Sequence, residues 1–171
     1  MKIFIKTLIL FFILSNSSYA EKVNVFEFTE PELSNLEVRK VRGADNKTEY
    51  SVGLNDNGNY LKAVADNAAS GLGKKVIIDL NKTPIINITW KIEKSLNGIK
   101  ENTKKSVDNV LASTKENLNE WITVKANVKE DFKKFHNLDV NELDGLAIMS
   151  DTDNSKLKAI AYYQNIYFSA D

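Results

Sequence analysis

The densest group of oxygen ligands in the chain is Asp151-Thr152-Asp153-Asn154. Two carboxylates and an amide at that spacing suit three kinds of chemistry. A hard cation such as Ca2+ gathers about six to eight oxygens, and Asp144 or Asp171 would extend the set. A carboxylate pair at i, i+2 points one way on an extended chain, which suits glycoside hydrolysis by two acids. The simplest use is structural: Asp and Asn side chains bond nearby backbone and shape a turn. The expectation adopted is a turn between a strand ending at Ser150 and one starting at Lys158. No catalytic residue and no cofactor is then expected. Calcium on Asp151, Asp153 and Asn154 is the alternative, without EF-hand spacing to accompany it.

A second group is aromatic: Trp90, Trp121, Tyr162, Tyr163 and Tyr167. A flat ring with polar neighbours can stack on a sugar. Trp90 and Tyr162 fall in inward-facing sets and are assigned to the core. Tyr163 and Tyr167, with Asn165 between them and Gln164 beside them, form the expected binding patch on the other face. His136 follows Phe135 at a helix end, where a cation suits the helix dipole. It could act as a base, but no Ser or Asp stands at a recognisable motif spacing, and G-x-S-x-G is absent.

Composition narrows the chemistry further. The chain has 171 residues, no Cys and one His. That excludes disulfides, thiolate metal sites, a Cys nucleophile and a multi-His metal centre. Lys2 and Lys6 precede the apolar run Leu8–Leu14, and Ser18 and Ala20 meet the small-residue rule for signal peptidase. Cleavage after Ala20 and release to the periplasm or beyond is expected. Lys and Arg number 23, as do Asp and Glu, and residues 1–20 hold two lysines and no acid, so the chain from Glu21 carries −2. A nucleic-acid partner is not expected, since that affinity rests on phosphate neutralisation. After cleavage no later segment is long enough to span a membrane. Residues 21–171 are expected to form one domain.

Period-two patterning supplies the elements that would position these side chains. Ile86, Ile88, Trp90 and Ile92 alternate with polar residues, and Val76, Ile78 and Leu80 do so before the Asn81–Pro84 turn. Tyr50, Val52 and Leu54 form an inward set. Asn55-Asp56-Asn57-Gly58 then turns the chain into Leu61, Ala63 and Ala65, a hairpin. Val23–Phe28 reads as an opening strand, and Leu146 and Ile148 mark another. In the last strand Ile160, Tyr162, Ile166 and Phe168 share one face. One helix is expected over 128–136, capped by Asn127 with Glu130 three residues on, its apolar face formed by Val128, Phe132 and Phe135. Residues 103–120 allow either a helix or a strand, the favoured version pairing Asn109–Thr114 with Trp121–Val128. The sum is a mainly all-β antiparallel sandwich.

Four stretches carry a resemblance: Tyr60–Ala63 running into Ala68–Leu72, Pro84–Ile92, Asn127–Phe132, and Gly145–Asn154 followed by Ala161-Tyr162-Tyr163. In this order they resemble the bacterial exported family called domain of unknown function 3047, itself similar to galactose-binding-like jelly rolls. The resemblance implies a jelly-roll fold, not an activity. Members of that family carry an Asp-Asp-aromatic run and an Arg-Val-Tyr-Val strand after the tryptophan strand. This chain lacks both, so it reads as a shortened copy. The expected function is an exported, non-catalytic binding module for a glycan or another envelope component. The alternatives are an envelope hydrolase acting through Asp151 and Asp153, and a degenerate copy serving as a scaffold.

Overall fold

The structure, a computed structural model, describes residues 21–94 and 119–171. The elements are β1 (Lys22–Asn24), α1 (Glu30–Asn35), β2 (Glu37–Lys40), β3 (Glu49–Asn55), β4 (Gly58–Asp66), β5 (Ala69–Asp79), β6 (Ile85–Lys94), β7 (Ile122–Asn127), α2 (Val128–His136), β8 (Glu142–Asp151) and β9 (Lys158–Ser169). They build a β-sandwich of two antiparallel sheets. The larger runs β3-β4-β9-β6-β7, with β1 beside the end of β9, and the smaller runs β2-β5-β8.

The sandwich forms because each sheet has one apolar face. Leu61, Ile86, Ile166 and Phe168 of the larger sheet meet Leu72, Ile78 and Ile148 of the smaller one. Val25, Phe26, Phe28 and Leu80 fill in from the connections, and the rings of Phe26 and Phe28 stack at 5.3 Å. Beside this apolar centre the sheets are stitched by hydroxyls. Thr48 Oγ1 donates to the Ser150 carbonyl at 2.8 Å, and the Thr48 N–H donates to Ser70 Oγ at 3.0 Å. Tyr50 donates to the Ser70 carbonyl, and the Ser150 and Tyr163 hydroxyls meet at 3.0 Å. Buried hydroxyls need such partners, because an unpaired one costs about 1–3 kcal/mol.

Local chemistry explains the turns and caps. The β3–β4 hairpin closes through Asp56-Asn57, with Gly58 at φ +109°, where a side chain would be strained. Asn127 Oδ1 accepts from the Glu130 N–H at 3.0 Å and caps α2, whose bounds match expectation, and Asn137 ends it in the left-handed conformation.

Several expectations need correction. Only Lys22–Asn24 of the opening segment is a strand; Val25–Phe28 continues as core-filling connection. Leu54 is 74% exposed at the tip of β3 instead of inward. β7 pairs with β6; the strand expected at Asn109–Thr114 lies outside the described residues. Helix α1 was not expected, although Thr29-Glu30-Pro31-Glu32 carries its start signal. Thr29 Oγ1 caps the Glu32 N–H at 3.3 Å, and Pro31 sits in the first turn.

The largest correction concerns β9. Between its contacts with Asn87 and Thr89 of β6, β9 advances three residues while β6 advances two. Asn165, at φ +50°, is the extra residue of this β-bulge. An extra residue reverses the side-chain alternation. Ile166 and Phe168 therefore face the core, whereas Ile160 and Tyr162, upstream of the bulge, do not share that face as expected. Tyr162 points outward and Tyr163 inward.

Candidate functional site: an aromatic face on the larger sheet

The bulge brings Tyr162 to the outer face of the larger sheet, the one turned away from the core. There it meets Tyr60 of β4 and Trp121, which immediately precedes β7. The Tyr60 and Tyr162 rings lie 5.7 Å apart, Trp121 and Tyr162 6.2 Å, and Tyr60 and Trp121 6.3 Å, all tilted or edge-on. Such edge-to-face packing is the favourable geometry for aromatic rings. Tyr162 is buried beneath its neighbours, and Tyr60 and Trp121 are half-buried.

The sheet register explains the arrangement. Tyr162 lies directly between Lys62 of β4 and Lys91 of β6. Both ammonium groups sit over its ring, Lys91 Nζ at 4.3 Å from the centroid and Lys62 Nζ at 5.7 Å. Lys91 Nζ also stands 5.3 Å over Trp121. The neighbouring cross-strand row holds Gln164, Thr89 and Thr123. Thr89 and Thr123 share a hydrogen bond of 2.8 Å, and Gln164 Nε2 donates to Asn55 Oδ1 at 3.3 Å. Tyr60 lies over Gly53; a Cβ on Gly53 would come within 2.5 Å of its ring.

A second bulge aims the remaining group. β6 advances two residues from Ile92 to Lys94 while β9 advances one. Glu93 is the extra residue, and its carboxylate accepts the Tyr162 hydroxyl. Burial, the hydrogen bond to Glu93 and the charge of that carboxylate push the Tyr162 phenol up to about 12. It is therefore a neutral donor at any physiological pH.

The other residues singled out from the sequence lie elsewhere. Tyr163 faces the smaller sheet, hydrogen-bonded to Ser150, and burial raises its pKa. Tyr167 is on the outer face, with Lys22 Nζ 3.8 Å over its ring. Asn165 is exposed at the bulge. Tyr163 and Tyr167 thus belong to opposite faces. Trp90 points inward as expected, half-buried, outside the apolar cluster, and its Nε1 has no hydrogen-bond partner. His136 is exposed at the end of α2, 5.9 Å from the Phe132 ring.

Asp151 ends β8, and Thr152, Asp153 and Asn154 begin its connection to β9. Asp151 Oδ1 accepts the Asp153 N–H at 3.0 Å, an Asx turn. Thr152 is the anchor: it is buried, its N–H donates to the Ala68 carbonyl at 2.9 Å, and its Oγ1 accepts the Ala68 N–H at 3.2 Å. Its carbonyl accepts the Lys156 N–H at 2.9 Å, closing the turn. Among the described residues no three His, Cys, Asp or Glu side chains are grouped to hold a metal ion.

Sequence reasoning named Trp121 and Tyr162 but missed Tyr60, Lys62, Lys91 and Glu93. The signal for the first three was present. Tyr60 and Lys62 alternate with the inward Leu61 and Ala63, and Lys91 follows the inward Trp90, so each must face outward.

Among solved structures, the family 11 carbohydrate-binding module from Clostridium thermocellum, in complex with a beta-1,3-1,4-mixed-linked tetrasaccharide, is similar to this chain. Its TM-score is 0.53 at 15% identity, over 89% of this chain and 96% of the module. At that identity the likeness concerns the fold, a jelly roll of the galactose-binding-like kind. A comparison with curated proteins gives no match. A family model matches in two pieces, residues 34–111 and 104–167, across most of the chain. The chain therefore belongs to the family DUF3047, proteins of unknown function.

Proposed function

We propose that this protein is an exported, non-catalytic module that binds a glycan on the outer face of its larger sheet. The observation that carries the reading is the contact between Tyr60, Trp121 and Tyr162, ringed by the hydrogen-bonding groups of Asn55, Lys62, Thr89, Lys91 and Thr123. Aromatic faces take the apolar side of a sugar ring, and the polar rim takes its hydroxyls. The jelly-roll neighbour that holds a tetrasaccharide supports the ligand class. Export rests on the basic start, the short apolar run and the Ser18/Ala20 pair. In this reading the chain is a shortened copy of the family, and its aromatic face is drawn from both sides of residues 95–118. Asp151 and Asp153 serve the turn in this reading, and no group in it cleaves a bond.

The test is affinity electrophoresis and calorimetry of the exported protein against a panel of soluble polysaccharides. Binding should appear for at least one, and Trp121→Ala should weaken it by tenfold or more while the melting transition stays cooperative. Failure of every polysaccharide to bind, or full binding by a folded Trp121→Ala variant, would overturn it.

A further inference from the structure

We propose that the glycan taken by this face is acidic, a polysaccharide carrying carboxylates. The inference rests on the glycan reading and adds a charge to it. Lys62, Tyr162 and Lys91 occupy three successive strands in one cross-strand row, so the buried ring is flanked by an ammonium on each side. Adjacent strands lie about 4.8 Å apart, which separates the two lysine backbones by roughly twice that. Their ammonium groups converge over the same ring, at 5.7 and 4.3 Å. Cation–π attraction holds each head group there without neutralising it.

The rest of the face continues the pattern. Lys125 lies one strand over from Asn87, whose other neighbour is Tyr167, and Lys22 stands over the Tyr167 ring. Among the described residues, the carboxylate set beside the Tyr162 ring against these four lysines is Glu93, which is engaged by the Tyr162 hydroxyl. Toward the far end, Asp66 pairs with Lys158 at 3.6 Å, and Glu49 lies at the outer strand. The chain from Glu21 onward is net acidic. A cationic centre on an acidic protein draws anions to that place and repels them elsewhere. A carboxylate seated between Lys62 and Lys91 would gain charge-assisted hydrogen bonds from both while its ring packs on Tyr60 and Trp121. A neutral glycan would leave both ammonium groups without that gain.

Alginate, polygalacturonate and a neutral mixed-linked β-glucan serve as probes, each measured at low and at moderate salt. At least one of the two acidic polymers should bind tenfold or more tightly than the neutral one, and added salt should weaken it several-fold, as screening requires. Lys62→Gln with Lys91→Gln should remove most of that preference, and Lys62→Arg with Lys91→Arg should keep it. If the neutral glucan binds as well or better, or if the glutamine pair leaves the preference intact, the charge inference fails while the glycan reading stands. If double-stranded DNA, which offers charge without an exposed sugar face, binds as tightly as the acidic polysaccharides, the face is a nonspecific cation patch and the inference also fails. If no polysaccharide binds, both readings fall together.

Discussion

Deleting Asn165 would test the two faces of β9 against each other. The strand carries Tyr162 outward before the bulge and Ile166 and Phe168 inward after it, and only the extra residue reconciles the two. Without it, the downstream half must present Tyr167 to the core and expel Ile166 and Phe168, which are 2% and 0% exposed. Losing the burial of two such side chains costs about 3–6 kcal/mol. Burying the Tyr167 hydroxyl without a partner adds about 1–3 kcal/mol. The sum is comparable with the whole stability of a domain, about 5–15 kcal/mol. The deletion is expected to unfold the protein or to remove most of its stability. Asn165→Gly should change stability by less than about 1 kcal/mol, because glycine enters positive φ freely. Asn165→Ile should cost about 1–2 kcal/mol, since Cβ meets the following carbonyl there. Urea unfolding followed by tryptophan fluorescence measures all three. A deletion variant that unfolds cooperatively within about 1 kcal/mol of wild type would show that Asn165 does not set the two faces of β9.

Four further outcomes are expected. Phe168→Ala should cost about 3–5 kcal/mol in chemical denaturation, as deletion of a fully enclosed aromatic does. The Tyr162 phenol, raised to about 12 in the folded protein against 10 ordinarily, should titrate late in ultraviolet absorbance. Because the folded state holds that proton more tightly, its contribution is complete below pH 10 and is lost as pH rises toward about 12. Glu93→Gln should move the titration down. Gly53→Ala should displace Tyr60 and alter the near-ultraviolet circular dichroism of the aromatic cluster, at a stability cost of about 1–3 kcal/mol. Thr152→Val, which keeps the shape but removes the hydroxyl from Ala68, should cost about 1–3 kcal/mol, read as a lower urea midpoint.

Much of this architecture was legible in the residues. Alternation placed β4, β5, β6 and β7, the Asn127–Glu130 pair placed α2, and the Asn and Asp clusters placed two turns. These signals are local, so a window of a few residues contains them. Asn165 defeats that kind of reading. Tyr162 and Ile166 are four apart and share a face on any regular strand; only the partner strand shows that one residue between them is extra. The expected patch of Tyr163, Asn165 and Tyr167 failed to assemble on one face for that reason. The real cluster gathers Tyr60 of β4, Tyr162 of β9 and Trp121 at the entry to β7, and its assembly depends on strand order, which alternation does not contain. Leu54 misled differently: its parity is inward, but beside the hairpin turn at the end of β3 it stays largely exposed.

The position of β9 in the larger sheet also governs how the chain reaches this state. β9 is made after all the other elements, yet it lies between β4 and β6 and also pairs with β1. Val23 must find Phe168, and Leu61 must find Tyr163, across most of the polypeptide. Topologies dominated by such distant pairings fold slowly, on the order of milliseconds to seconds. Until β9 arrives, the sheet consists of a β3–β4 hairpin and a β6–β7 ladder, and isolated two-stranded units are marginal in water. The inner edges of β4 and β6 are then unpaired, and open strand edges recruit other chains. A nascent or truncated chain that ends before Lys158 should therefore aggregate, and folding should begin in earnest only when the last twelve-residue strand has been released.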